Sequence, residues 1–387
     1  MTDTALPIYL DYQATTPIDP RVLEAMMPYL TTKFGNPHSS NHRFGWEAAA
    51  GVELARAQVA ELIGAAPQDI IFTSGATESN NLVIKGMAYA AYPAKDHIIT
   101  VATEHPCVLE SCASLERAGF KVTYLPVNID GLIDLEQLKQ AITEKTSLVS
   151  IMAVNNEIGV IQNLKKIGEV CTVHGVNFHT DAAQAVGKIP LNILEINCDF
   201  LSISGHKIYG PKGVGALYLR SDTPLRPLAL FDGGGQEGGL RPGTLSPALC
   251  AGLGAACHIA VLDIKKDYDH IDQLSKKIAS AILNQLSGVY FNGSRVLRFP
   301  GNLNITFEGA PAEALLKELR DIAFSTGSAC ATGRTEPSHV LTALGLDKNQ
   351  IDCTVRIGLG RMTREADIDY ATDKIIKAVQ KIRRVLS

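Results

Sequence analysis

Lys207 follows an apolar run, Phe200-Leu201-Ser202-Ile203, and a Ser204-Gly205-His206 turn, with Gly210 and Pro211 close behind. A lysine at the end of a buried strand has a disfavoured ammonium form, which leaves a neutral amine able to bond covalently to a carbonyl. The same position also suits a lysine whose stem is buried and whose amine reaches solvent, and the rest of the chain decides between the two. Cys330 is the second chemical residue. It sits in Ser325-Thr326-Gly327-Ser328-Ala329-Cys330-Ala331-Thr332-Gly333-Arg334, among small residues with a glycine on either side. That is the pattern of a mobile, accessible loop, and an accessible thiol is one that can react.

Other candidates cluster at expected strand ends. Thr73-Ser74-Gly75-Ala76-Thr77 follows one strand and opens a helical run. Backbone N–H groups at Gly75 and Ala76, with the Thr77 hydroxyl, suit a phosphate, although a plain strand-to-helix turn looks the same. His105 ends a second strand, where a flat ring can stack and move protons or simply hold a structural hydrogen bond. Asp181 ends a third and Gln184 follows it; an aspartate there can face a pyridinium nitrogen or merely cap a helix. Ser204 and His206 adjoin Lys207. Thr244 closes a second glycine-rich loop, Gly233–Thr244, and Arg356 stands alone between Val355 and Ile357, placed to clamp a carboxylate or to make a structural ion pair. An amine for a carbonyl, a cradle for phosphate and a carboxylate for a ring nitrogen point together to pyridoxal phosphate.

These residues need strands to carry them. Ile70–Thr73, His97–Val101, Lys121–Leu125, Ser147–Met152, Val176–His179, Phe200–Ile203 and Gly215–Leu219 read as strands, with helical stretches at Glu47–Leu62, Val108–Ala118 and Leu135–Ala141. The alternation predicts an α/β fold with a mostly parallel central sheet, whose ligands bind beyond the strands' carboxyl ends. From about residue 258 the pattern changes to a long helix, Ala260–Leu286, then strands at 289–291, 303–307, 322–324 and 354–357, a helix at 312–319 and a last amphipathic helix over 368–386. A large domain over 15–257 is expected, with a smaller α+β domain formed by 1–14 and 258–387 that carries Cys330.

The chain has 387 residues, a net charge of −4 and 46% hydrophobic residues. No basic field for nucleic acid is present, and no apolar run reaches the roughly 20 residues of a membrane span. The first residues show neither a basic nor an apolar leader segment, so a cytoplasmic protein is expected. Without a Cys-x-x-Cys pair no structural zinc is expected. The cysteines other than Cys330 mostly read as small buried hydrophobes.

Across nearly its whole length the sequence resembles the cysteine desulfurases, a branch of the class-V aminotransferase group with an aspartate-aminotransferase-like fold. The likeness is carried by Tyr9–Pro17, Phe34-Gly35-Asn36-Pro37, Thr73–Asn81, Val154–Gly159, Ser204–Gly215, Ser328-Ala329-Cys330 and Glu336-Pro337-Ser338-His339. The branch that supplies sulfur for iron–sulfur clusters is the nearest likeness. The resemblance implies that Lys207 bonds the cofactor and His105 stacks on its ring. Asp181 then meets the ring nitrogen and Gln184 the phenolic oxygen. Gly75, Ala76, Thr77, Ser204 and His206 hold the phosphate, with Thr244 from the other subunit of a homodimer. Asn156 and Arg356, helped by Asn36, bind the carboxylate of L-cysteine, with Asn156 also beside the cofactor. Cys330 takes the sulfur as a persulfide for scaffold or other acceptor proteins, for cluster assembly or tRNA thiolation, and serves as a transient cluster ligand; no resident metal is implied. The sequence departs from the pattern at Ala331-Thr332-Gly333-Arg334 and at Gly238, and it ends at Ser387, where relatives carry a further extension. A selenocysteine lyase or an aminotransferase of the same fold and a non-catalytic assembly subunit are the alternatives. An aminotransferase needs no thiol, and a non-catalytic subunit would have lost Lys207, Asp181 or Cys330.

Overall fold

The computed structural model describes residues 7–326 and 337–386. Seven strands form the central sheet: β2 (Ile70–Thr73), β3 (His97–Val101), β4 (Lys121–Leu125), β5 (Thr146–Ser150), β6 (Asn177–Asp181), β7 (Phe200–Ser204) and β8 (Gly215–Leu219), with β1 (Ile8–Tyr9) outside it. Their order is β2-β8-β7-β6-β5-β3-β4, and only β8 runs antiparallel to its neighbours. The mostly parallel sheet is as expected.

Strand residues alternate between two cores. Ile71, Leu148, Phe200 and Leu217 pack with α3 (Ala76–Ala91) and α4 (Pro106–Arg117). Phe72, Val149, Phe178, Leu201 and Ile203 belong to a larger core with α2 (Arg43–Ile63), α6 (Leu164–His174) and α8 (Pro247–Gln285). Burial on both faces explains why the strands read as continuous apolar runs. Helices α1 (Pro20–Leu30), α5 (Leu135–Ala141) and α7 (Ile193–Ile196) complete this part.

The helix expected from Ala260 begins at Pro247 and runs unbroken for 39 residues. Ser246 caps it by accepting from the Leu249 N–H, and Pro247 occupies the first turn. The expected boundary at residue 257 therefore lies inside one helix. By length and apolar content α8 would suffice to cross a bilayer, which the run lengths did not suggest; here it packs against α1 and α2. The approach is close because Gly254 faces α2: a Cβ there would lie 2.5 Å from Ala55 Cα.

Beyond α8 an antiparallel sheet has the order β12-β13-β10-β9, formed by β9 (Val289–Phe291), β10 (Asn302–Phe307), β12 (Ser325–Thr326) and β13 (Thr354–Gly358). The N-terminal β1 pairs in parallel with β11 (Ile322–Ala323). Helices α9 (Ala312–Glu318), α10 (His339–Ala343), α11 (Lys348–Asp352) and α12 (Glu365–Leu386) accompany it.

Candidate active site

A cavity of about 420 Å³ opens at the carboxyl ends of the parallel strands. The turn after β7 carries Lys207 into it. The Lys207 amine donates to the carbonyls of Gln13 at 2.6 Å and Ala14 at 2.7 Å. Burial pulls its pKa down to about 8, and the Arg356 charge acts in the same direction. A lysine held this way is about one-tenth neutral amine at pH 7, far more than an ordinary lysine, and its amine is bound to two backbone carbonyls, so the solvent-reaching reading of the sequence is set aside.

Helix α3 starts at the cavity with Gly75 at φ 146, a conformation that favours glycine, and no side chain caps its first N–H groups. Ala76, Thr77, Ser204 and His206 line the space around that helix start. His206 Nδ1 lies 3.1 Å from the Thr15 hydroxyl, and burial lowers its pKa to about 4. An uncapped helix start facing hydroxyls and a ring N–H suits a phosphate group.

Asp181 ends β6 with its carboxylate fixed by Asn80 Nδ2 at 2.7 Å and the Ala183 N–H at 2.9 Å. His105 follows β3, and its Nδ1 accepts from the Cys107 N–H at 3.2 Å. Burial lowers the His105 pKa, and Lys207 and His339 add to that effect against Asp181. Beneath these two residues Glu104 is fully buried. Its pKa is raised well above the usual carboxylate range by burial and by Asp181, and it accepts from the Met152 N–H at 2.6 Å. Gln184 also lines the cavity, with its amide oxygen bound to Lys188 at 2.6 Å and one amide hydrogen on the Gln13 carbonyl at 2.9 Å. Amine, anion cradle and carboxylate thus surround one space, and this donor set fits pyridoxal phosphate.

The remaining sequence candidates are placed less uniformly. Asn156 lines the cavity, and its carbonyl accepts from Arg356 Nη1 at 3.0 Å. Arg356 lies on β13 just outside the lining residues, with Nη2 on Asp11 Oδ1 at 2.8 Å and its buried Nε without a partner among the described residues. It makes the structural ion pair that was one of its two sequence readings. Asn36 is exposed in a turn where it accepts from the His38 N–H, and Thr244 is exposed as well; neither lines this cavity. Cys330 lies outside the described residues. Cys107 is not the buried hydrophobe expected but a lining residue, and Cys353 is only half-buried. Met152, Val154 and Lys212 also line the site without having been singled out. Position 107, two residues after a strand-end histidine, was the available signal for the cysteine.

The class-V aminotransferase family matches residues 8–371. A cysteine desulfurase IscS from Rickettsia bellii (strain OSU 85-389) is 55% identical over 383 residues, which is 99% of this chain and 93% of that protein. A solved structure described as a NifS-like protein has a TM-score of 0.90 at 37% identity, covering 97% of this chain and 100% of that one. Another, described as SspA in complex with cysteine, has a TM-score of 0.81 at 40% identity, covering 92% of this chain and 99% of that one. The chain belongs to the class-V aminotransferase family, within its cysteine desulfurases.

Proposed function

We propose that this protein is a pyridoxal-phosphate-dependent cysteine desulfurase that takes sulfur from L-cysteine and passes it to acceptor proteins for iron–sulfur cluster assembly. The observation that carries the reading is the half-buried Lys207 amine, its pKa lowered to about 8, in one cavity with the α3 start and Asp181. When bound, the cofactor draws electrons from the substrate's Cα and so weakens its Cβ–S bond.

Lys207 would hold the cofactor's aldehyde and, once released, take the proton from Cα. The α3 N–H groups, Thr77, Ser204 and His206 would hold the phosphate. The Asp181 carboxylate would keep the ring nitrogen protonated. The second amide hydrogen of Gln184 is left for the phenolic oxygen. Asn156 and the second Nη1 hydrogen of Arg356, whose first is on the Asn156 carbonyl, would receive the substrate carboxylate. Cys330 would then accept the substrate sulfur: one Cβ–S bond breaks, one S–S bond forms, and the products are alanine and the Cys330 persulfide.

A homodimer is part of this proposal. Asn36 and Thr244 lie outside the cavity of their own chain, and the exposed rings of Phe34 and Phe44 lie 5.2 Å apart, with Phe34 two residues before Asn36. A second copy seated there would cover both rings and bring both polar residues to a site.

The test is alanine and sulfide production from L-cysteine with dithiothreitol, comparing the wild type with Cys330→Ala, both loaded with cofactor. Alanine from the wild type alone is expected. Equal alanine from both would remove Cys330 from the reaction, and none from the loaded wild type would overturn the desulfurase reading.

A further inference from the structure

We infer that Cys107 is a positioning residue whose thiol fixes the ring of His105 and joins it to Asp181. The inference rests on the reading above, in which those two side chains face the cofactor ring. Cys107 lies in the first turn of α4, and its sulfur is 3.0 Å from His105 Nδ1 and 3.2 Å from Asn80 Nδ2. The same Asn80 nitrogen donates to Asp181 Oδ2 at 2.7 Å.

Donors and acceptors along this chain close in one direction only. An amide NH2 has two hydrogens, and Asn80 gives one to Asp181 and one to sulfur. The opposite amide orientation would set Asn80 Oδ1 against the Asp181 carboxylate. Having accepted from Asn80, the thiol has its own hydrogen for His105 Nδ1. That nitrogen also accepts from the Cys107 backbone N–H at 3.2 Å, so the ring proton resides on Nε2. The Thr77 hydroxyl is a further partner of the thiol. Groups from the phosphate cradle, the ring-nitrogen contact and the ring-stacking contact therefore meet at one sulfur atom.

Burial pushes the Cys107 pKa up to about 12, with Asp181 adding to the effect, so the group stays a thiol at neutral pH. It acts as a donor and does not compete with Cys330 as a nucleophile. The charged and titratable groups that face His105 from other elements are Asp181 at the end of β6, Lys207 in the turn after β7 and His339 on α10. None of them reproduces the donation to Nδ1 described for the thiol.

A hydrogen bond to the neutral form disfavours the charged form. Loss of this weak donor is expected to raise the His105 titration by about half a pH unit, while the Cys107 backbone N–H keeps the ring proton on Nε2 in every variant. The experiment is NMR titration of the holoenzyme carrying isotope-labelled histidine, with the His105 signal identified by its loss in His105→Gln. Cys107→Ser keeps a donor, Cys107→Val fills the space without one, and Cys107→Ala removes both. The expected result is an upward shift of the His105 titration in the Val and Ala variants, with Ser matching the wild type. Val and Ala titrating as the wild type does would overturn the proposal. Failure of the Val and Ala variants to retain cofactor while Ser retains it would support the donor role, whereas failure of all three would assign Cys107 to packing and overturn it. The readout follows a ring proton, so it stands apart from whether the protein desulfurates cysteine.

Discussion

The Lys188 amine donates to Gln184 Oε1 across 2.6 Å, and that bond decides which way the Gln184 amide faces. With its oxygen held by Lys188 and one N–H on the Gln13 carbonyl, the amide keeps one hydrogen in reserve at the cavity. Burial holds the Lys188 pKa well below that of an ordinary lysine, and the charges of Lys207 and Arg356 press it the same way. A neutral amine still donates, so the contact survives without an ammonium charge. Lys188→Met is expected to free the amide to rotate. The pH midpoint of the bound cofactor's visible absorption should then move by about half to one pH unit. Gln184→Ala should produce a similar shift, and the double variant no further one, because both act through one bond. An unchanged midpoint in Lys188→Met would remove Lys188 from the support of the site.

Lys207 has a folded-state pKa of about 8, below its ordinary value of 10.5, chiefly because of burial. For the cofactor-free protein the sign follows directly. The unfolded chain binds the proton more readily, so wild-type stability rises with pH from about 8 to 10.5, and as pH falls that contribution is lost between 10.5 and 8 with no further change below. Lys207→Met removes this dependence. Between pH 7 and pH 10.5 the cofactor-free wild type should gain about 3 kcal/mol relative to that variant, because each pH unit separating the folded and unfolded values contributes about 1.4 kcal/mol. Urea unfolding of both proteins across that range measures it; parallel pH dependences would mean that the amine is solvated.

Much of the site was legible because its residues end buried strands. Lys207, His105 and Asp181 each follow a run of apolar residues, and a parallel sheet brings such ends together. Gln13 and Lys188 were not legible. Gln13 meets Lys207 from 194 residues away, and Lys188 reads as an ordinary surface lysine until the fold closes over its amine. The start of α8 was missed for a local reason. Gly252 and Gly254 weaken helix propensity there, but both face neighbouring elements at distances that admit no side chain, so packing overrides propensity. The capping serine followed by proline at 246–247 was the signal that outweighed them.

Arg356 is held by Asp11, Ser325 and the Asn156 carbonyl, at 2.8, 3.1 and 3.0 Å. These bonds fix the guanidinium plane before any ligand arrives, and among the described residues the buried Nε–H has no partner. Lysine cannot satisfy three fixed acceptors and still present a further donor. Arg356→Lys is therefore expected to raise KM for L-cysteine by about 10- to 100-fold, the equivalent of one or two charge-assisted hydrogen bonds. Steady-state kinetics at saturating cofactor separates this from a change in kcat. A loss confined to kcat would assign Arg356 to orienting the reacting bond instead of binding the carboxylate.

Strand β2 is an edge strand of the central sheet, and an edge leaves backbone groups that need partners. Two side chains supply them here. Arg56 Nη1 donates to the Ile70 carbonyl at 2.6 Å, and Glu237 accepts from the Phe72 N–H at 2.6 Å. The two side chains also pair with each other through both guanidinium nitrogens, at 2.9 and 2.7 Å. Their side chains are only 12% and 3% exposed, so the pair is largely shielded from water. Glu237 belongs to the glycine-rich loop, which is thereby fastened to the strand leading into the phosphate cradle. Removing one partner leaves a buried charge and an unpaired edge group, at a cost of about 3–5 kcal/mol. Glu237→Ala and Arg56→Ala should each lose about that much stability by urea unfolding. The double variant should lose far less than their sum, because the second change removes the charge that the first left stranded. Additive losses would show that the two side chains support the edge independently, and that the ion pair between them contributes nothing to holding the loop.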